Sequence, residues 1–258
     1  MSIKKKILIA LSAVLAVAAI VAASVAGTVA YLTSSAAVSN TFTVGNVKIA
    51  MDETKVKLDG TVDTSATSRV TSNEYHLVPG KQYTKDPVLH VYDGSENAFL
   101  FVLVRNDLTP LGPKDDVQYL KTTEQMKYFG WREYTTVQQG TVYVYAGDAE
   151  GNYNMVLNED VTKELVDNRM ANIDINPTKV ATLSAAGKNY KLFEYFYTDP
   201  DQTDLTMFGS AQITVTAVAI QAAGFVDIND LDTITEENLA NAWLAVQDAY
   251  PRDFGTSN

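Results

Sequence analysis

Ala98-Phe99-Leu100-Phe101-Val102-Leu103-Val104-Arg105 is the stretch on which the fold turns. Seven apolar residues in a row, rich in β-branched and aromatic side chains, form a run too short for a helix of ordinary length. A strand with no polar face must be covered on both sides, so it belongs in the middle of a sheet. It is set off on its N-terminal side by Asp93-Gly94, a turn pair, and before that by a second apolar run, Pro87 to Tyr92. Pro110 and Pro113 break the chain beyond it.

Working outward, the same strand-and-turn rhythm recurs. Thr41 to Met51 alternates, with Phe42, Val44, Val47 and Ile49 apolar, and Gly45-Asn46 reads as a bulge in one strand. Asp52 to Asn73 is rich in Thr, Ser and Asp and reads as a long loop or ragged edge hairpin turning at Asp59-Gly60. Pro79-Gly80 is a turn. Trp131 to Val137 and Thr141 to Tyr145 are two strands joined through Gln138-Gln139-Gly140. Tyr190 to Tyr197 alternates aromatic and polar residues as one strand. Ile213 to Ile220 places Ile213, Val215, Ala217 and Ala219 on one face.

Helices are few. Thr123 to Phe129 and Asn158 to Met170 are short candidates. Thr235 caps a final helix, about 236–249, with Leu239, Ala242, Trp243 and Val246 on one side. Many short strands with few peripheral helices predict an all-β, jelly-roll-like β-sandwich spanning residues 41–258.

The N-terminus carries a different signal. Lys4, Lys5 and Lys6 precede an apolar run from Ile7 to Ala26, broken only by Ser12 and Ser24. A basic n-region, an apolar h-region and small residues read as a secretory signal helix over residues 1–30. Thr28 and Ala30 stand at −3 and −1 of a cut between Ala30 and Tyr31, and Ala26, with Ser24 at −3, offers a second possible cut. A run of this length also suits a retained membrane anchor, which would give a surface-bound protein.

These residues carry a resemblance. Lys4-Lys5-Lys6, Gly27-Thr28-x-Ala30 and Thr41-Phe42-x-x-Gly45, followed by alternating Val47 and Ile49, resemble the start of the TasA/CalY (camelysin-like) proteins. Leu77-Val78-Pro79-Gly80 is similar to a loop of that family, and Ile213 to Gly224 to its closing strand. The close likeness covers roughly the first fifth of the chain. These are secreted matrix proteins of Gram-positive bacteria. The resemblance implies a jelly-roll domain, cleavage by a dedicated ER-type signal peptidase and assembly into extracellular biofilm fibres.

Composition sets limits. Hydrophobic residues at 46% and aromatics at 10% exclude a disordered chain, and the 228 residues left after such a cut suffice for one all-β domain. The absence of cysteine removes disulfides, thiolate metal sites, cysteine nucleophiles and a lipidated cysteine. The C-terminal residues Asp253 to Asn258 show no hydrophobic tail, so no covalent wall-sorting signal is expected. Residues 1–30 hold three lysines and no acids, so their removal takes the formal charge from −11 to −14. Such a surface repels phosphate backbones and excludes nucleic acid as a partner of the folded domain.

Catalytic patterns are sparse. The chain has two histidines, His76 and His90, and no Gly-x-Ser-x-Gly or His-Glu-x-x-His motif. Camelysin-like relatives have been described as metalloproteases, and the zinc motif that warrants that chemistry is missing here. Asp148, Glu150, Asn152 and Glu159 imitate the spacing of a calcium loop, but Tyr153 takes the place where the sharp turn needs glycine. Asp227, Asn229, Asp230 and Asp232 read as the acidic approach to the final helix. No cofactor is expected.

The segment 31–40 is uncharged and poor in turn-formers. Released from the signal, it can add as a strand to a sheet edge of the next subunit, a head-to-tail contact that does not close. Leu32, Ser34, Ala36 and Val38 share one face of that donor strand by the two-residue period. The bland readings are a disordered N-terminal tail or a first strand of the subunit's own sheet. The chain is therefore expected to be a non-enzymatic structural subunit of an extracellular matrix. Its partners are itself, the signal peptidase during export and other matrix proteins. The alternatives are a membrane-anchored adhesin or ligand-binding module, and a secreted hydrolase.

Overall fold

Burial of the strand Ala98–Asn106 is complete from Ala98 to Val104, as its apolar run requires. The computed structural model describes residues 33–44, 46–108, 121–147, 181–201, 209–227 and 234–255. In chain order the elements are β1 (Thr33–Val44), β2 (Ile49–Asp52), β3 (Ser72–His76), β4 (Gln82–Thr84), β5 (Val88–Val91), β6 (Ala98–Asn106), α1 (Thr122–Tyr128), β7 (Trp131–Val137), β8 (Gly140–Tyr145), β9 (Lys188–Lys191), β10 (Tyr195–Tyr197), β11 (Ile213–Gln221), α2 (Glu236–Ala249) and α3 (Pro251–Phe254). The fold is all-β, mostly antiparallel, with a few short helices.

A six-stranded sheet runs in the order β3-β1-β11-β6-β8-β7. A three-stranded sheet, β2-β5-β9, and a two-stranded one, β10-β4, accompany it. One face of the large sheet presents Leu100, Val102 and Val104 of β6 with Ile213, Val215, Ala217 and Ala219 of β11. They share one core with Met51, Leu89, Tyr190, Tyr83 and Phe196 of the smaller sheets. This is sheet-on-sheet burial.

The opposite face of the large sheet carries Phe99, Phe101, Val144, Val218 and Ile220. They pack with Leu239, Ala242, Trp243 and Val246 of α2 and with Phe254 of α3. Trp243 gathers the aromatics, its ring centroid 5.3 Å from Phe101, 5.7 Å from Tyr134 and 5.7 Å from Phe254. Each such pair adds about 0.5–1.5 kcal/mol to the area buried. The helix starts where Thr235 Oγ1 accepts from the Asn238 backbone N–H, while the Asn238 side chain accepts from the Thr235 N–H, a reciprocal cap.

Most turns fall where Gly, Pro and Asp place them. The ragged hairpin after β2 turns through Asp59, with the Gly60 N–H donating to the Lys57 carbonyl and the Lys57 N–H to Thr61. Two expectations are corrected. Thr41 to Met51 is not one bulged strand: β1 ends at Val44 in the large sheet, and β2 begins at Ile49 in the three-stranded sheet. Tyr190 to Tyr197 also divides, β9 pairing with β5 and β10 with β4. Between them Leu192 and Phe193 are both fully buried, which no period-two strand with one wet face permits. The candidate helix 158–170 lies outside the described residues.

Candidate assembly site at the N-terminal strand

β1 occupies the slot between β3 and β11. On one side it runs antiparallel to β3, from Thr33 opposite His76 to Ala37 opposite Ser72. On the other it runs parallel to β11, with Ala37 opposite Thr214, Val38 opposite Val215, and Thr41 to Val44 opposite Ala217 to Ile220. Every other strand ladder among the described residues is antiparallel. No local turn links β1 to β11, which lies near the other end of the chain, so the slot alone sets their register. Without β1, both β3 and β11 would present unpaired backbone groups along an edge.

Of the residues singled out for the donor strand, Ser34 stands opposite Tyr75, Ala36 opposite Asn73 and Val38 opposite Val215. The strand is continuous from Thr33 to Val44 and so runs through residue 40, where the donor segment was expected to end. Ala30, Tyr31 and Leu32 lie outside the described residues. So do Asp148, Glu150, Asn152 and Glu159.

The β3 wall is held from behind by a buried polar cluster that the sequence did not announce. Asn73 of β3 donates from Nδ2 to Glu53 Oε1 at 2.9 Å and to the Thr54 carbonyl at 2.8 Å. Its Oδ1 accepts from the Val56 N–H at 2.9 Å. Lys85, just past β4, donates from Nζ to Glu53 Oε2 at 2.6 Å, and neither side chain is exposed. Burial raises the Glu53 carboxyl above the usual carboxylate range, against the opposing pull of Lys85. Burial likewise lowers the Lys85 ammonium, against the pull of Glu53. Both shifts favour a neutral amine beside a neutral acid.

Aromatic packing flanks the cluster. Tyr75 and Phe196 lie 5.2 Å apart, and Tyr83 stacks on Phe196 at 5.0 Å. The Tyr75 hydroxyl donates to the Thr84 carbonyl, and Tyr83 Oη donates to the His76 carbonyl while accepting from the Val78 N–H. Burial drives the Tyr75 phenol far above its usual range.

A more exposed network lies alongside. Arg69 reaches Asp52 Oδ1 at 2.5 Å and Asp86 Oδ2 at 3.0 Å, and donates to the Asp86 carbonyl at 2.8 Å. His90 stands 3.0 Å from Asp52 through Nε2 and 2.7 Å from Asn189 Oδ1 through Nδ1. Burial pushes the Asp52 carboxyl up, but His90 and Arg69 together hold it below the ordinary value of 3.8. Both ring nitrogens of His90 thus face side-chain oxygens. Among the described residues no group of three or more acidic or histidine side chains is placed to hold a metal ion, and no helix is long and apolar enough to cross a membrane.

Comparison with protein-family models, curated proteins and solved structures found no match to this chain.

Proposed function

We propose that the chain is a secreted, non-enzymatic structural subunit of an extracellular matrix, and that it polymerises by donating its N-terminal strand. The observation that carries this reading is the place of β1: an N-terminal strand, parallel to β11 in an otherwise antiparallel sheet, filling a slot with an edge on either side. A slot that accepts the chain's own residues 33–44 offers the same hydrogen bonds to the same residues of a second copy. Exchange of an identical element preserves every contact and makes an open chain when the link runs head to tail.

The signal-like residues 1–30 and the likeness of the N-terminus to TasA/CalY proteins support export and fibre formation. The two packed cores support a jelly-roll-like sandwich as the finer description of the fold. The surroundings of His90, held between Asp52 and Asn189, support a structural use for that residue.

Deletion of residues 31–40 tests the reading. The mature protein is expected to form filaments visible by electron microscopy, and the truncated protein to stay monomeric. Filaments of equal number and length from the truncated protein would overturn strand donation.

A further inference from the structure

Three buried side chains meet in an arrangement that can do covalent chemistry. Glu53 and Lys85 have no exposure, and Asn73 is 2% exposed. One carboxyl bridges the other two, its Oε2 2.6 Å from Lys85 Nζ and its Oε1 2.9 Å from Asn73 Nδ2. The amide oxygen of Asn73 accepts the Val56 backbone N–H at 2.9 Å. An amine, a carbonyl polarised by a fixed N–H, and an acid touching both amine and leaving group are the parts an acyl transfer needs.

We propose that Lys85 and Asn73 join in an intramolecular isopeptide bond, with Glu53 as the proton shuttle. A proton passes from Lys85 to Glu53, leaving a neutral amine, the form that burial favours at both residues. The Nζ lone pair attacks Cγ of Asn73, and the negative charge that gathers on Oδ1 is met by the Val56 N–H. Glu53 delivers its proton to Nδ2, the Cγ–Nδ2 bond breaks and ammonia leaves. The surplus proton on Nζ returns to Glu53. One C–N bond forms and one breaks, no electrons are exchanged, and Glu53 ends as the neutral acid it was before attack. A cavity of about 440 Å³, lined in part by Lys55, Val56, Ser72 and Asn73, gives the ammonia a way out.

Both reactants are hydrogen-bonded to the same Glu53 carboxyl, so the fold itself takes the place of an external enzyme. The product ties β3, one wall of the slot that holds β1, to the end of β4, whose own partner is β10 in the second layer. In a chain without cysteine this is a cross-link that no reductant removes. The inference does not depend on how the protein assembles.

Intact-mass measurement of the folded full chain, followed by tandem mass spectrometry of a tryptic digest, tests it. The wild-type protein is expected to be lighter than its sequence by one ammonia, about 17 Da. Trypsin should fail to cut after Lys85, and a branched peptide should join the segments holding residues 73 and 85. Glu53→Gln should keep the full sequence mass. Asn73→Asp should lose water, about 18 Da, and give the same branched peptide. Folded wild-type protein of full sequence mass, with a free peptide ending at Lys85, would overturn the proposal, whether or not the variants fold. A loss of ammonia that maps anywhere other than this pair would overturn it equally.

Discussion

Lys85 Nζ lies 2.6 Å from Glu53 Oε2 with neither side chain exposed, which places the most sequestered acid–amine pair among the described residues directly behind β3. Removing one member strands the other in the interior. Lys85→Ala is expected to lower the unfolding free energy by about 3–5 kcal/mol. Urea unfolding followed by tryptophan fluorescence measures this. A loss below about 1 kcal/mol would mean that water already reaches the pair.

Acid should weaken the fold through Asp52. Its carboxyl is held below 3.8 by His90 and Arg69 despite partial burial, so the folded state prefers it ionised. A depressed carboxylate contributes stability that is present above its unfolded value and lost as pH falls through its folded value. Wild-type melting temperature should therefore fall as pH drops below about 4. Asp52→Asn should lower stability at neutral pH by about 0.5–1 kcal/mol, with the difference from wild type closing toward pH 3. A difference that stays constant across that range would remove Asp52 from the account.

The second core gathers around Trp243, and Phe101 is one of its ring contacts. Phe101 is fully buried, its ring 5.3 Å from Trp243 of α2. Phe101→Ala should cost about 3–5 kcal/mol. It should also loosen α2 from the sheet, read as faster amide exchange at Leu239, Ala242 and Val246. Unchanged exchange in that helix would show that its anchorage lies elsewhere.

The charge of −14 on residues 31–258 opposes association at low ionic strength. Fibre growth is expected to quicken several-fold between 10 mM and 150 mM salt as the screening length falls from about 30 Å to about 8 Å. Light scattering at several salt concentrations follows it. Growth that slows with salt would point to an interface held by opposite charges instead.

Sequence patterning revealed the strands that alternate and those that are wholly apolar. The buried run at 98–104 and the face Ile213, Val215, Ala217 and Ala219 of β11 lie where their side chains require. The capped helix with Leu239, Ala242, Trp243 and Val246 buried was equally plain. Patterning failed where the chain changes sheets within a few residues, between β1 and β2 and between β9 and β10, because a period says nothing about which partner a strand takes. The cluster of Glu53, Asn73 and Lys85 was invisible for a different reason. Its members sit in a polar, aperiodic stretch and beside a short strand, and only the tertiary fold removes them from water. The parallel partner of β1, set by a slot rather than a turn, left no local mark at all.

The most direct test of strand donation uses the absence of native cysteine. Ser35 of β1 lies directly opposite Glu74 of β3 in an antiparallel ladder, a spacing that suits a disulfide. Ser35→Cys and Glu74→Cys are made in separate chains, mixed under assembly conditions and oxidised. If β1 is donated, the mixture yields disulfide-linked dimers joining one variant to the other, and neither variant alone yields them. If filaments form and the mixture gives no mixed dimer, while the double variant closes its disulfide within each chain, β1 stays in its own sheet and assembly by strand donation is contradicted.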